Sequence, residues 1–247
     1  MKGAASDILR TLETYGFEWD GEVMAQSRRR DAYENALDTL QRRGALYPCA
    51  CTRKEIADSS VRGIEGPVYP GTCRSGLPAG REARALRVRT DAAQIEFTDR
   101  VQGVQRSQLE MEIGDFVVKR ADGFYAYQLA VVVDDAEQGI TEIVRGADLL
   151  ASTARQIHLQ KILGTATPSY LHLPAAVNAA GEKLSKQTFA PALPKDEPVA
   201  MLWRALDFLG QSPAPEWRDA SRDEFWRMAL AGWNEQRVPR TAAIQTG

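Results

Sequence analysis

Apolar residues at helical spacing open the chain. Ile8, Leu12 and Tyr15 lie three or four positions apart, between Ser6 and Gly16. A hydroxyl side chain commonly caps the start of a helix, and glycine commonly follows its end. The pattern therefore predicts a first helix with Ser6 as its N-cap and Gly16 just beyond its last turn.

A second helix is predicted over residues 27–43, with Gly44 closing it. Its apolar face consists of Tyr33, Ala36, Leu37 and Leu40. Arg28, Arg29 and Arg30 form a basic run at its start. Such a run is typical of a solvated helix face, and it also suits contact with a phosphate. The sequence leaves both interpretations open.

Several short segments have the alternation or the apolar run that is typical of strands. They are residues 86–89, 116–119, 124–127, 140–144 and 170–173. Asp122-Gly123 predicts a hairpin between two of them, and we expect 140–144 to be buried. Residues 129–133 are apolar without a diagnostic period, whereas 152–163 predict a helix that ends at Gly164. Helices that alternate with strands predict an α/β core with a parallel sheet.

The chain also divides by composition. Residues 45–82 are rich in glycine, proline, serine and cysteine, and they predict an insertion that lacks a core of its own. A proline-rich linker at 191–194 precedes helical patterns at 199–209 and after Ser221, which begins a capping box with Glu224. We therefore expect a core over 1–190, with an insertion at about 45–82, and a small helical domain over 191–247.

Composition narrows the function classes. The 247 residues carry a formal net charge of −2, so a nucleic acid would have to be held by a local basic surface. No stretch reaches the roughly 20 apolar residues of a membrane span, and the start has no apolar signal-peptide region. We expect a cytoplasmic monomer without membrane association.

The three cysteines indicate a metal site. Cys49 and Cys51 form a C-x-C pair, and Cys73 follows Tyr69 by four positions in a turn rich in proline and glycine. Thiolates suit zinc, and a tyrosine phenolate could complete four ligands. The alternative is three buried or free thiols, because a single C-x-C pair is a weaker signal than two.

Two further groups of residues suit anionic ligands. Lys183 and Lys186 flank Ser185 after a turn, and such a pair neutralises phosphate charge or simply lies on the surface. Arg145 ends a predicted strand beside Gly146, and it suits either a substrate carboxylate or an internal salt bridge. The candidate internal partners are Asp134, Asp135 and Asp148. Tyr127 lies upstream in the same region of the chain.

The order of these motifs resembles the glutamyl-tRNA synthetase lineage of class I aminoacyl-tRNA synthetases. The segments that carry the resemblance are CxC, YxxxC, DGFYAYQLAVVVDD, GITEIVRGADLL, YLHLP and KLSKQ. Only residues 188–247 follow KLSKQ, which is more similar to the stand-alone glutamyl-queuosine tRNA(Asp) synthetases than to full glutamyl-tRNA synthetases. The implied fold is a Rossmann-type nucleotide-binding core with its first strand missing, a zinc-binding insertion and a small C-terminal helical domain.

The resemblance also implies roles for individual residues. The implied zinc ligands are Cys49, Cys51, Tyr69 and Cys73. The implied glutamate contacts are Tyr127 and Arg145. The implied ATP contacts are Lys183, Ser185 and Lys186, with Lys186 as the catalytic residue.

The implied reaction has two steps. Glutamate and ATP, with magnesium, first form glutamyl-adenylate and pyrophosphate without tRNA. The glutamyl group then passes to the queuosine base in the anticodon of tRNA(Asp). The partners that the resemblance implies are therefore glutamate, ATP and tRNA(Asp) bearing queuosine, with zinc as the bound metal.

The start of the chain departs from the family pattern. The family's first strand and its HIGH-type loop and helix have no counterpart here, and that helix N-terminus is where the ATP phosphates bind. We therefore expect a truncated start, zinc binding, and poor or absent glutamate activation by these residues. The alternatives are an inactive fragment that binds tRNA or glutamate, and a fragment of a glutamyl-tRNA synthetase.

Overall fold

A computed structural model describes residues 3–63, 66–185, 188 and 190–246. The α-helices of these ranges are α1 (Ala4–Thr14), α2 (Arg30–Arg42), α3 (Arg53–Ser59), α4 (Leu109–Glu112), α5 (Tyr127–Glu137), α6 (Leu150–Leu163), α7 (Pro198–Phe208) and α8 (Arg222–Gly232). Short 3₁₀ turns lie at Gln26–Arg28, Ala147–Leu149, Pro215–Asp219 and Glu235–Arg237. Within the described ranges, no helix is long and apolar enough to cross a membrane.

The strands form small sheets. They are β1 (Leu46–Cys49), β2 (Arg62–Gly63), β3 (Gly66–Pro67), β4 (Ala85–Val88), β5 (Gln94–Asp99), β6 (Gly103–Gln108), β7 (Phe116–Lys119), β8 (Glu142–Gly146), β9 (Ser169–Leu173), β10 (Ala175–Val177) and β11 (Ala243–Gln245). One sheet has the order β1-β4-β7 and another the order β6-β5-β9-β8. The pairs β2–β3 and β10–β11 complete the set in the described part of the chain.

The expectation of a parallel sheet is only partly correct. β5 pairs with β9 in parallel through Asp99 and Tyr170, and β10 pairs with β11 in parallel. However, β4 is antiparallel to both β1 and β7, and β5 is antiparallel to β6. An apolar run specifies burial, but strand direction is set by the connections, and a short hairpin forces antiparallel pairing.

The structure comprises two compact units. One contains residues 24–145 and 149–171, and the other contains the described residues up to 23, residues 146–148, and those from 172 onward. The main core of the first unit packs α2, α5 and α6 against the β1-β4-β7 sheet, and its fully buried side chains include Leu40, Val88, Val118, Leu129 and Leu159. Each such side chain contributes about 1.5–3 kcal/mol by leaving water.

The second unit has a core of its own. Tyr15, Leu202, Phe225 and Ala229 pack together, so α1 packs with α7 and α8. The hydroxyl of Tyr15 donates to the carbonyl of Pro194 at 2.6 Å. The predicted C-terminal helices and the Ser221 capping box are confirmed. The domain boundary between residues 190 and 191 stays a prediction.

Some predicted boundaries were wrong. Ser6 lies inside α1, because the amide of Asp7 bonds to the carbonyl of Gly3 and the helix begins at Ala4. The segment 124–127 forms only a bridge between Tyr125 and Lys119 before α5 begins. The strand predicted over 140–144 is β8 at the edge of its sheet, where Val144 is 57% exposed, so it is not the buried strand that the sequence predicts.

The basic run at 28–30 is solvated at Arg28 and Arg30, as one interpretation predicts, but not at Arg29. Arg29 is largely buried, and its guanidinium forms ion pairs with Asp134 at 2.9 Å and Glu137 at 2.6 Å. The hydroxyl of Tyr33 donates to the same Asp134 carboxylate. Arg29 therefore joins α2 to α5, whereas Arg28 and Arg30 are exposed.

A buried ion pair ties the insertion to the sheet. Asp115 is 2% exposed, and it accepts hydrogen bonds from Arg74 at 2.6 Å, from the Tyr47 hydroxyl at 2.6 Å and from Thr90 at 2.9 Å. Burial alone would raise the pKa of Asp115, but the bonds from Arg74, Tyr47 and Thr90 hold that pKa below its usual value. The carboxylate is therefore charged, and Arg74 is the cation it depends on.

Replacing Asp115 with asparagine is expected to destabilise the chain by about 3 kcal/mol, because Arg74 loses a buried anion. Urea unfolding of Asp115→Asn against the wild type measures this. Asp91→Asn is the matched control, since Asp91 pairs with the same Arg74 at 3.2 Å but is 63% exposed. The control is expected to lose less than about 1 kcal/mol. Equal losses in the two variants would contradict the assignment.

Candidate active site and metal centre

The predicted metal ligands come together at the end of β1. Cys49 is the last residue of β1, Cys51 follows it, and Cys73 lies in a turn closed by the amide of Arg74 on the carbonyl of Gly71. The three sulfur atoms lie within 4.8 Å of one another. The Sγ atoms of Cys51 and Cys73 are 3.7 Å apart.

Tyr69 adds an oxygen to this group. Its hydroxyl oxygen lies 3.5 Å from the Cys49 sulfur and 3.6 Å from the Cys51 sulfur, and the amide of Cys73 donates to it at 2.9 Å. Tetrahedral zinc has bonds of about 2.3 Å to sulfur and about 2.0 Å to oxygen, which places two sulfurs about 3.8 Å apart and a sulfur and an oxygen about 3.5 Å apart. The Cys51–Cys73, Tyr69–Cys49 and Tyr69–Cys51 distances therefore fit a tetrahedral zinc site.

Arg87 supplies positive charge beside the cluster. It is 7% exposed; its Nε donates to the Cys49 sulfur at 3.3 Å, and its guanidinium lies 3.9 Å from the centre of the Tyr69 ring. Its Nη1 donates to the backbone carbonyl of Asp115 at 2.6 Å. Burial raises the pKa of the Cys49 thiol, but the hydrogen bonds from Tyr69 and Arg87 outweigh this and lower it. A lowered thiol pKa favours the thiolate, which is the form that binds metal.

The sequence analysis missed Arg87. The strand pattern at 86–89 places arginine at two alternating positions, and nothing in that pattern distinguishes Arg87 from Arg89. The structure separates them, because Arg89 donates instead to the carbonyl of Arg74.

The predicted glutamate contacts lie in the first unit. Tyr127 is the first residue of α5 and is 48% exposed. Arg145 is the penultimate residue of β8. It therefore lies at the carboxyl end of the strand, where open α/β sheets bind ligands. Its Nη2 donates to Thr153 Oγ1 at 2.9 Å and to Gln156 Oε1 at 2.8 Å, and its guanidinium lies 5.7 Å from the centre of the Tyr170 ring.

The three candidate internal partners of Arg145 have different surroundings. Asp134 pairs with Arg29, and Asp148 pairs with Lys183. Burial raises the pKa of Asp135, and the positive charge of Arg145 opposes that rise. Asp135 is therefore a carboxylate whose charged form Arg145 favours.

Buried polar side chains of α6 surround Arg145, and the sequence analysis missed them as well. Ser152, Thr153 and Gln156 are each at most 6% exposed. Ser152, Gln156 and Gln160 recur every fourth position, which is a polar stripe at helical spacing. That stripe is the signal that could have indicated a buried polar network, because polar side chains on a buried helix face require partners.

The lysine segment lies in the second unit, and Lys186 and Gln187 fall outside the described residues. The Nζ of Lys183 donates to the Asp148 carboxylate. The hydroxyl of Thr188 accepts from the amide of Ser185 at 2.9 Å and lies 2.9 Å from the carbonyl of Lys183. Thr188, which the sequence analysis did not single out, therefore organises the backbone of this loop.

Gly146 explains how Asp148 can pair with Lys183. A Cβ atom at position 146 would lie 2.4 Å from Asp148 Oδ1. A side chain at position 146 would therefore displace the Asp148 carboxylate from this position.

Comparison with known proteins shows the family of the chain. The tRNA synthetases class I (E and Q) catalytic domain matches residues 1–214. The glutamyl-Q tRNA(Asp) synthetase of Chromobacterium violaceum is 57% identical over 239 residues, which cover 97% of this chain and 80% of that protein. That of Dechloromonas aromatica is 57% identical over 246 residues, covering 99% and 82%.

Solved structures share the fold. The glutamate-tRNA synthetase of Elizabethkingia anophelis superposes with a TM-score of 0.75 at 21% identity, covering 100% of this chain and 58% of that one. A glutamate tRNA ligase of Elizabethkingia meningosepticum gives a TM-score of 0.74 at 22% identity, and the chain spans 57% of its length. The predicted class I Rossmann-type fold is thereby confirmed. The chain is an ATP-dependent ligase that belongs to the class I (E and Q) tRNA synthetases and, within them, to the glutamyl-Q tRNA(Asp) synthetase family.

Proposed function

We propose that the chain activates glutamate with ATP without tRNA and transfers the glutamyl group to queuosine in the anticodon of tRNA(Asp). The observation that carries this proposal is the placement of Arg145. Its guanidinium lies at the carboxyl end of β8, fixed by two neutral side chains. A guanidinium presents parallel N–H groups that match a carboxylate. The name of the relatives, glutamyl-Q tRNA(Asp) synthetase, supplies the nature of the carboxylate ligand and of the acceptor.

Both steps of the proposed reaction balance in atoms and charge. A carboxylate oxygen of glutamate attacks the α-phosphorus of ATP, the bond to pyrophosphate breaks, and glutamyl-adenylate forms. A nucleophile of the queuosine base then attacks the glutamyl carbonyl carbon, AMP leaves, and the nucleophile loses its proton. Magnesium accompanies ATP as its phosphate counter-ion.

The residues of this chain act mainly by binding and orientation. Arg145 holds a glutamate carboxylate, and Tyr127 contacts the same amino acid from the start of α5. Lys183, Ser185 and Lys186 contact ATP, with Lys186 opposing the negative charge that develops on its phosphates.

We also propose that Cys49, Cys51, Tyr69 and Cys73 hold zinc. Four protein ligands leave no open position, so the metal would stabilise the insertion and take no part in the chemistry. The domain division at residues 190 and 191 and the monomeric state belong to the same proposal.

Two assays test the function. Glutamate-dependent exchange of labelled pyrophosphate into ATP, without tRNA, measures the activation step. Transfer of labelled glutamate to tRNA(Asp), with and without queuosine, measures the second step. The proposed function predicts exchange without tRNA and transfer only to tRNA(Asp) that bears queuosine. The poor or absent glutamate activation expected from the sequence predicts little or no exchange.

Two other outcomes would contradict the proposed function. Glutamylation of tRNA(Glu) at its 3′ end would assign the chain to the glutamyl-tRNA synthetases instead. Binding of glutamate or tRNA(Asp) without exchange would leave only a binding role. A tRNA without its 3′-terminal adenosine is the control, because it cannot accept glutamate at the 3′ end while its anticodon bases are unchanged.

A further inference from the structure

The side chains behind Arg145 form a chain of hydrogen bonds with a defined direction. Arg145 Nη2 donates to Gln156 Oε1 at 2.8 Å, and Gln156 Nε2 donates to Gln128 Oε1 at 2.9 Å. Gln128 Nε2 then donates to Ser152 Oγ at 3.0 Å, and Arg155 Nη2 donates to the same hydroxyl oxygen at 2.9 Å. We call Gln156, Gln128 and Ser152 the amide relay.

The direction of the amide relay follows from the chemistry of arginine. A guanidinium has N–H donors and no acceptor, so Gln156 must present its carbonyl oxygen to Arg145. Its amide nitrogen then faces Gln128, which must in turn present its own carbonyl oxygen. The reversed amide of Gln156 would place donor against donor at Arg145 and acceptor against acceptor at Gln128. One orientation of each amide is therefore the stable one.

Burial makes this arrangement rigid. Gln156 is 1% exposed and Ser152 is 6% exposed, so water does not replace the bonds they make. An unpaired buried polar group is strongly unfavourable, which holds Gln156 and Ser152 in place, while Gln128 is half-buried. The relay also spans two elements, since Gln128 belongs to α5 and Gln156 to α6.

We propose that Gln156, supported by Gln128, is a positioning residue that orients Arg145 toward the carboxylate of glutamate. This inference rests on the proposed function, in which Arg145 binds that carboxylate. Gln156 acts through Arg145 and does not touch the substrate. Because Gln128 follows Tyr127 directly, the same relay links the start of α5 to Arg145.

A glutamine suits this position better than either of its close relatives. Methionine has nearly the same length but would leave the Arg145 donor without its amide acceptor. Glutamate would keep an acceptor toward Arg145, but it would add a negative charge beside the guanidinium and remove the donor to Gln128. That added charge would compete with a substrate carboxylate for Arg145.

The test is glutamate binding by isothermal titration calorimetry on the full chain, with the melting temperature of each variant measured in parallel. The variants are Gln156→Met, Gln156→Glu, Gln128→Met and Arg145→Lys. Gln211→Met is the matched control, because Gln211 is also a buried glutamine, 7% exposed, whose amide bonds to Leu209 and Asn234.

We expect a graded loss of affinity. Gln156→Met is expected to raise the Kd for glutamate about tenfold, Gln156→Glu to raise it further, and Gln128→Met to raise it about threefold. Gln211→Met is expected to leave the Kd unchanged even where it lowers the melting temperature. A merely structural role predicts instead that affinity follows the melting temperature in every variant, the control included.

The outcomes separate this inference from the proposed function. If Arg145→Lys weakens binding while the Gln156 and Gln128 variants bind like the wild type, the positioning role is wrong and the proposed function stands. If Arg145→Lys binds like the wild type, or the wild type binds no glutamate, the proposed function itself fails, and the positioning role with it. Gln128→Met, one hydrogen bond beyond Gln156, decides the question if a Gln156 variant does not fold.

Discussion

Replacing Cys73 with serine is expected to lower the zinc affinity of the chain at least about 100-fold and to lower its melting temperature. Mutation of a residue that only hydrogen-bonds to a metal ligand typically lowers metal affinity about 10–100-fold. Cys73 would be a direct ligand, so its loss is expected to have a larger effect. Its side chain is 1% exposed, and its sulfur lies 3.7 Å from that of Cys51. The expected loss of stability arises because metal binding and folding are linked when a site holds an insertion together.

The measurements are zinc content by elemental analysis after purification, and thermal unfolding with and without a chelator. Chelation should destabilise the wild type and have little further effect on Cys73→Ser. Tyr69→Phe tests the fourth ligand and should weaken zinc binding less than loss of a thiolate does. Tyr47→Phe is its matched control, because Tyr47 is a buried tyrosine of the same cluster that bonds to Asp115 instead. Stoichiometric zinc in Cys73→Ser would refute the four-ligand site.

Replacing Arg145 with alanine is expected to lower kcat/KM for glutamate in pyrophosphate exchange by at least about 100-fold, or about 2.7 kcal/mol in transition-state stabilisation. Loss of one partner from a hydrogen-bonded charge pair commonly has an effect of this size. The same change leaves Gln156 Oε1 without its donor, which is expected to lower the free energy of unfolding by about 1–2 kcal/mol.

Arg106→Ala is the control for this prediction. Arg106 pairs with Glu96 on β5, and its side chain is 74% exposed, so its removal should change neither kcat/KM nor stability appreciably. If Arg145→Ala retains the kcat/KM of the wild type, Arg145 does not bind the substrate carboxylate. If both variants lose activity equally, the loss reflects general electrostatics rather than the site.

The amino-acid sequence predicted the site where covalent spacing brings its residues together. Cys49 and Cys51 are two positions apart, and Tyr69 and Cys73 share one turn, so local structure alone makes them neighbours. Arg87 reaches the same cluster only because β4 pairs with β1, which is a tertiary contact without a local signal. The α6 residues around Arg145 do carry a local signal, the polar stripe at every fourth position, but the partner that this stripe contacts is set by tertiary packing.

The fold was predicted to a similar extent. Helix α6 and its end at Gly164 were predicted correctly, because period and capping agree there. The apolar run at 129–133 is part of helix α5. Its periodicity does not distinguish a helix from a strand, because α5 is apolar on more than one face. For β8, apolar residues predicted burial, but exposure depends on whether a further strand or helix covers the sheet edge.

The closeness of the three thiols has a consequence for the redox chemistry of the chain. Once metal is removed, two sulfurs 3.7 Å apart can be oxidised by dissolved oxygen to a disulfide between Cys51 and Cys73. That covalent link would consume two of the proposed ligands, and the insertion could then regain its metal only after reduction. Chelation in air and chelation under a reductant should therefore give two different apoproteins, of which only the second takes up zinc directly.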